Sequence, residues 1–171
     1  MQQSQRTLFQ NFTSMKIKKK DGKKTFKQAV EETPDVARCF QVGNAGLGPY
    51  RNKIEVHDTR LLCGSIDIDA CTTAKYPGEH RWDYAICYKS EVFFIEIHSA
   101  QTSEVSTVLN KFRWLKDWLH HKAPEINKLK ATTKTPFYWV QSKNFQILKN
   151  SAQYRQAKLA GLMPVPKVVL N

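Results

Sequence analysis

Two runs dense in aromatic and β-branched residues, Arg81–Tyr88 and Val92–His98, flank the polar pair Lys89-Ser90. Side chains of this kind suit a pleated, half-buried surface, and so short a polar link leaves room only for a tight turn, so an antiparallel hairpin is predicted. Residues equidistant from the turn then lie opposite one another, which sets Asp83 against Glu96. Directly opposed side chains share a face, with Cβ atoms about 4.5–5.5 Å apart, so two carboxylates meet in an otherwise apolar segment. Like charges at that spacing cost stability unless a cation lies between them. A divalent metal, Mg²⁺ or Mn²⁺, is therefore expected at Asp83 and Glu96, because Mg²⁺ takes hard oxygen ligands and keeps several waters beside one or two carboxylates and a substrate phosphate. His98, two residues beyond Glu96, falls on the same face and is expected to hold or deprotonate the attacking water.

The rest of the chain supplies the surroundings of that hairpin. A third strand is predicted over Leu61–Cys71, where Ile66, Ile68 and Ala70 alternate with Asp67 and Asp69. The two aspartates form either a solvated polar face or, through Asp69, a further carboxylate beside Asp83. After His98 the period becomes helical, with Val105, Val108, Leu109, Phe112, Leu115 and Leu119 on one stripe, Ser103 as N-cap and Pro124 as the stop. Phe137–Val140 reads as a buried strand, Ser151–Ala160 as a helix closed by Gly161, and Val165–Leu170 as an edge strand containing Pro166. Upstream, Phe26, Ala29 and Val30 mark a helix starting at Thr25. Thr33-Pro34 restarts it as N-cap and N1, and Val36, Ala37 and Phe40 continue it to the loop Gly43–Tyr50. The predicted order is helix, three strands, helix, strand, helix, strand: an α/β domain with a central mixed sheet flanked by helices.

A chain of 171 residues suits one core, placed at residues 25–171. Residues 1–24 read as a flexible basic arm, with six lysines between Lys16 and Lys24. The arm and the excess of 27 Lys+Arg over 15 Asp+Glu, net +12, point to a polyanion, nucleic acid before membrane. Phosphate contacts are expected from Lys18, Lys19, Lys20, Lys143, Lys149 and Arg155. Gln5-Arg6-Thr7-Leu8-Phe9 reads as a plain tail or, through its resemblance to the QxxLF peptide, as a sliding-clamp docking segment contacting its partner by Gln5, Leu8 and Phe9. With no apolar run long enough to span a bilayer and no apolar stretch near the start, a soluble, cytoplasmic protein is expected. Cys39, Cys63, Cys71 and Cys87 form no CxxC pair and read as small core residues rather than a zinc or disulfide framework. His120-His121 suits a helix C-terminus, His57 and His80 read as surface residues, and Trp114, Trp118, Tyr138 and Trp139 read as core before base-stacking platforms.

The pattern Asp83, twelve residues, Glu96-Ile97-His98 on a hairpin, followed by a helix and the Phe137–Val140 strand, resembles the PD-(D/E)XK nuclease superfamily over about residues 25–142. The resemblance implies a restriction-endonuclease-like core running helix, three strands, helix, strand, with Mg²⁺ on Asp83 and Glu96. It also implies a completing carboxylate from the opening helix, Glu31 or Glu32, and a Gln101 near the substrate backbone. The family usually has lysine where this chain has His98; a lysine migrated to the next helix would be Lys111. The implied function is a metal-dependent endonuclease, on DNA first, working as a dimer where it cuts a duplex. The alternatives are an inactive nucleic-acid- or protein-binding module on the same scaffold and a protein-binding inhibitor or immunity factor.

Overall fold

A computed structural model describes residues 22–171; Gln5, Leu8, Phe9 and Lys18–Lys20 of the basic arm lie outside the described residues. Along the chain run α1 (Phe26–Glu31), β1 (Ile54–Val56), β2 (Leu62–Asp67), α2 (Ile68–Thr72), β3 (Tyr84–Tyr88), β4 (Glu91–His98), α3 (Val105–His121), α4 (Pro124–Asn127), β5 (Phe137–Gln141), α5 (Ala152–Leu159) and β6 (Val168–Leu170). Four strands form a mixed sheet in the order β2-β3-β4-β5, antiparallel except for the β4/β5 pair, which α3 connects as a crossover. β1 and β6 pair in a small parallel sheet of their own, and Val165 bridges to Val140 of β5.

The hairpin has the predicted register, from Tyr84 opposite Ile95 to Tyr88 opposite Glu91. Lys89 and Ser90 both have positive φ, 51° and 65°, as the primed two-residue turns that match strand twist require. Alternation then sorts the sheet into two faces. Ala85, Cys87, Val92 and Phe94 pack with the buried residues of α1 and the Val105, Val108, Phe112, Leu115, Leu119 stripe of α3. Tyr84, Ile86, Tyr88, Phe93, Ile95 and Ile97 pack against Leu47, Val168 and Leu170. Each large apolar side chain so buried contributes about 1.5–3 kcal/mol, which is why α3 is held to this face and no other.

Several local expectations yield to competing chemistry. The strand expected to reach Cys71 stops at Asp67, whose carboxylate accepts the Ala70 N–H at 2.8 Å and caps α2. An aspartate at an N-cap is worth more here than continued alternation, so Asp67 and Asp69 do not share a strand face. Thr33 starts no second helix: its hydroxyl donates to the Ala29 carbonyl at 2.8 Å, closing α1, and turns follow. The Gly43–Tyr50 loop winds into a 3₁₀ segment, Ala45–Lys53, kinked at Gly48, whose φ is 51°. Ser103 lies inside a 3₁₀ turn, Thr102–Glu104, and Glu104 takes the N-cap position of α3. Pro124 occupies the first turn of α4.

The cysteines depart furthest from expectation. Cys39 and Cys71 form a disulfide across 32 residues, with Cα atoms 6.4 Å apart. The turn of α2 after Asp67 carries Cys71 toward the segment that follows α1, a proximity absent from linear spacing. Of the remaining two, Cys87 is a core residue as expected while Cys63 is exposed. Trp118 and Trp139 are fully buried, in keeping with the core reading. Among the described residues no helix is long and apolar enough to cross a membrane.

Candidate active site

Asp83 stands immediately before β3 and Glu96 near the end of β4, on the sheet face that α3 covers. Their side chains exchange backbone bonds. The Asp83 N–H donates to Glu96 Oε2 at 3.1 Å, and the Ile97 N–H donates to Asp83 Oδ2 at 2.9 Å. Each carboxylate thus spends one oxygen on the opposite strand, and the other oxygen is fixed in direction. Those second oxygens converge on one cation, the Lys111 ammonium, 2.9 Å from Asp83 Oδ1 and in closer contact with Glu96 Oε1. Lys111 follows Val108 by three residues and precedes Leu115 by four, so it belongs to the packed side of α3 and its stem runs over the sheet.

Burial governs the electrostatics. The Glu96 side chain is wholly buried, and loss of water pushes its carboxyl above the usual range; His98 and Lys111 offset this in part, and the Asp83 charge adds to it. Burial also works against the Lys111 ammonium, but the Glu96 and Asp83 carboxylates outweigh it and hold the lysine charged, above its ordinary value. His98 completes the group. Its Nδ1 lies 3.5 Å from Glu96 Oε1, and its Nε2 lies 2.8 Å from Glu104 Oε2. Glu96 first, and Glu104 after it, raise the imidazole above its ordinary value against the effect of burial. Glu104 was not among the residues expected at this site. The acidic residue at the head of α3 was visible, but the 3₁₀ turn that swings it back over His98 was not.

Other candidates fall elsewhere. Glu31 pairs with Lys27 and Glu32 with Lys24 on the exposed side of α1, so the carboxylate expected from the opening helix does not join the site. Asp69 is held by Arg81 Nε at 2.8 Å. Asp67 is closer in effect: burial raises its carboxyl, with Asp69 and Asp83 adding to the shift. Gln101 donates to Gln146 Oε1 at 3.2 Å just beyond β4. Because β5 runs parallel to β4, His98 is paired with Gln141, and exposed Lys143 two residues later stands at the same end of the sheet. Lys53 reaches that end as well, donating to the Gln141 carbonyl at 3.0 Å. A groove of about 590 Å³ between α3 and α5, lined by Ser106, Asn110, Arg113, Lys116 and Gln156, contains none of these carboxylates, which lie at the sheet end.

Among the described residues no group of three or more His, Cys, Asp and Glu side chains forms a ready-made metal cage. Two converging carboxylate oxygens nevertheless fit the hard-donor demand of Mg²⁺, which binds through one or two carboxylates and retained waters. In the described arrangement the ammonium of Lys111 takes the cation's part between them. The chain matches no protein-family model, no curated protein and no solved structure.

Proposed function

We propose that the protein is a metal-dependent nuclease of the PD-(D/E)XK type, in which Lys111 stands in for the lysine that the family usually carries three positions into its motif. One observation carries this reading: two carboxylates on opposed strands of a hairpin aim their free oxygens at a single lysine ammonium. With β1 and α2 taken as insertions, the succession α1, β2, β3, β4, α3, β5 is compatible with the helix, three strands, helix, strand order expected of that core. Asp83 and Glu96 would hold Mg²⁺ or Mn²⁺. Once bound, such an ion polarises a phosphodiester oxygen and makes its water more acidic.

The chain's own groups do the remaining work. Lys111 donates to a non-bridging phosphate oxygen and offsets the charge that builds there. His98, beside Glu96 and hydrogen-bonded through Nε2 to Glu104, would hold the attacking water. Glu104 fixes the ring through Nε2 and is a positioning residue. Lys53 and Lys143, both at that end of the sheet, would contact neighbouring phosphates, and the net charge of +12 raises the local concentration of DNA.

The test is incubation of the full chain with Mn²⁺ and plasmid, linear, branched and single-stranded DNA. Cleavage is expected, reduced about a thousandfold in Asp83→Asn and in Glu96→Gln, equivalent to roughly 4 kcal/mol of transition-state stabilisation. A second reading is favoured by one feature, that Lys111 already balances the carboxylate pair without a metal: a non-catalytic nucleic-acid-binding module. Calorimetric titration with Mn²⁺ separates the two. Heat that disappears in Glu96→Gln supports the nuclease, whereas DNA binding with neither metal heat nor cleavage establishes the module.

A further inference from the structure

The edge strand β2 carries an irregularity that the proposed nuclease does not use. Leu62 pairs with Tyr88 and Gly64 with Cys87, so Cys63 is the extra residue of a β-bulge, and Cys63 and Gly64 together oppose Cys87. Gly64, at φ 148°, has no side chain to come between the strands, and a Cβ there would lie 2.3 Å from the Phe40 ring. The type of turn matters as well. Its two positive-φ residues fold back on β2, where the Lys89 N–H donates to the Leu61 carbonyl at 3.0 Å and the Ser90 N–H donates to Cys63 Sγ at 3.3 Å. Cys63 is exposed, and Cys87, which the bulge sets opposite it on the neighbouring strand, is buried in the core at 1% exposure.

We propose that Cys63 and Cys87 are a redox-modified thiol pair, in which Cys63 is oxidised by a hydroperoxide and Cys87 resolves the product as a cross-strand disulfide. The exposed partner has the character of an attacking thiol. The neighbouring Cys87 and Ser90, acting against burial, bring Cys63 down to about 6, while Cys63 and burial push Cys87 far up. The Cys63 thiolate attacks one peroxide oxygen and breaks the O–O bond, giving Cys63 sulfenic acid and a hydroxide ion that takes up a proton as water. The Cys87 sulfur then attacks the sulfenic sulfur; the S–S bond forms, the S–O bond breaks, and the Cys87 proton leaves with the hydroxyl as a second water. Two thiols lose two electrons and the peroxide gains them. A disulfide here ties the bulge of β2 to β3, at the end of the hairpin remote from Asp83 and Glu96.

A lowered thiol pKa raises the thiolate fraction but lowers its intrinsic nucleophilicity, so the rate gain at neutral pH is only about twofold and the product is the informative readout. Full-length protein, with Cys39 and Cys71 already paired, is treated with a slight excess of hydrogen peroxide and its mass read without reduction. Loss of two hydrogens with a Cys63–Cys87 cross-link on peptide mapping is expected. Cys87→Ala, or Cys87→Ser should alanine unfold the core, is expected to stop at a sulfenic acid captured by dimedone, and Cys63→Ser to leave Cys87 reduced. Sulfinic acid at Cys63, dimers joined through Cys63, or no reaction in the wild-type chain overturns the proposal. None of these readouts depends on nuclease activity.

Discussion

Lys111→Met removes the ammonium from between Asp83 and Glu96 and keeps the length of the stem. Glu96 is 0% exposed, Asp83 17% and Lys111 16%, so no water stands ready to replace the lost charge around the glutamate. Breaking one partner of a buried ionic group costs about 3–5 kcal/mol, because the remaining charge is stranded. With a urea slope of roughly 2 kcal/mol/M, the unfolding midpoint falls by about 1.5–2.5 M. Burial already raises the Glu96 carboxyl. Without Lys111 that rise grows, so the folded state binds a proton that the unfolded chain has released, and the variant loses stability as pH climbs from the ordinary carboxylate range to the raised value. Urea titrations between pH 5 and 8 measure this: the deficit against wild type widens with pH. If Asp83 and Glu96 hold a divalent ion, Mn²⁺ at a hundredfold over its dissociation constant restores about 2.7 kcal/mol. Equal midpoints for wild type and variant at pH 8 would refute the view that Lys111 compensates the pair. A variant that Mn²⁺ does not stabilise would remove the metal.

Two further outcomes are expected. Imidazole resonances of His98 followed by NMR titrate above the ordinary value, and Glu104→Gln moves them down; the stability supplied by His98 is complete below the ordinary histidine value and is lost as pH rises through the raised one. Reduction of Cys39–Cys71, or replacement of both by alanine, lowers stability by about 3–4 kcal/mol through the freed 32-residue loop, read as an earlier urea midpoint.

The hairpin was legible because its determinants are local. A two-residue polar link between two β-rich runs sets the register, and the register alone brings Asp83 opposite Glu96. The α3 stripe and the β5 run were legible for the same reason: periodicity reports which face is buried. Where two local signals competed, linear reading went astray. Asp67 could continue an alternating strand or cap a helix, and capping prevailed once Ile68 could be buried from α2. Thr33 could open a helix or close one, and its hydroxyl closed α1.

What the amino-acid sequence determined by itself was the pair of carboxylates and the face they occupy, since pairing across a tight turn leaves no freedom in either. What only the tertiary structure decided was which groups meet that pair from farther along the chain. Lys111 arrives because α3 is packed by its apolar stripe onto that face, Glu104 because a 3₁₀ turn folds back over His98, and Glu32 stays away because α1 turns its charged side outward. Cys71 reaches Cys39 on the same principle. Each of these contacts depends on how separate elements are oriented by burial of their apolar faces, a long-range property that spacing along a chain does not encode.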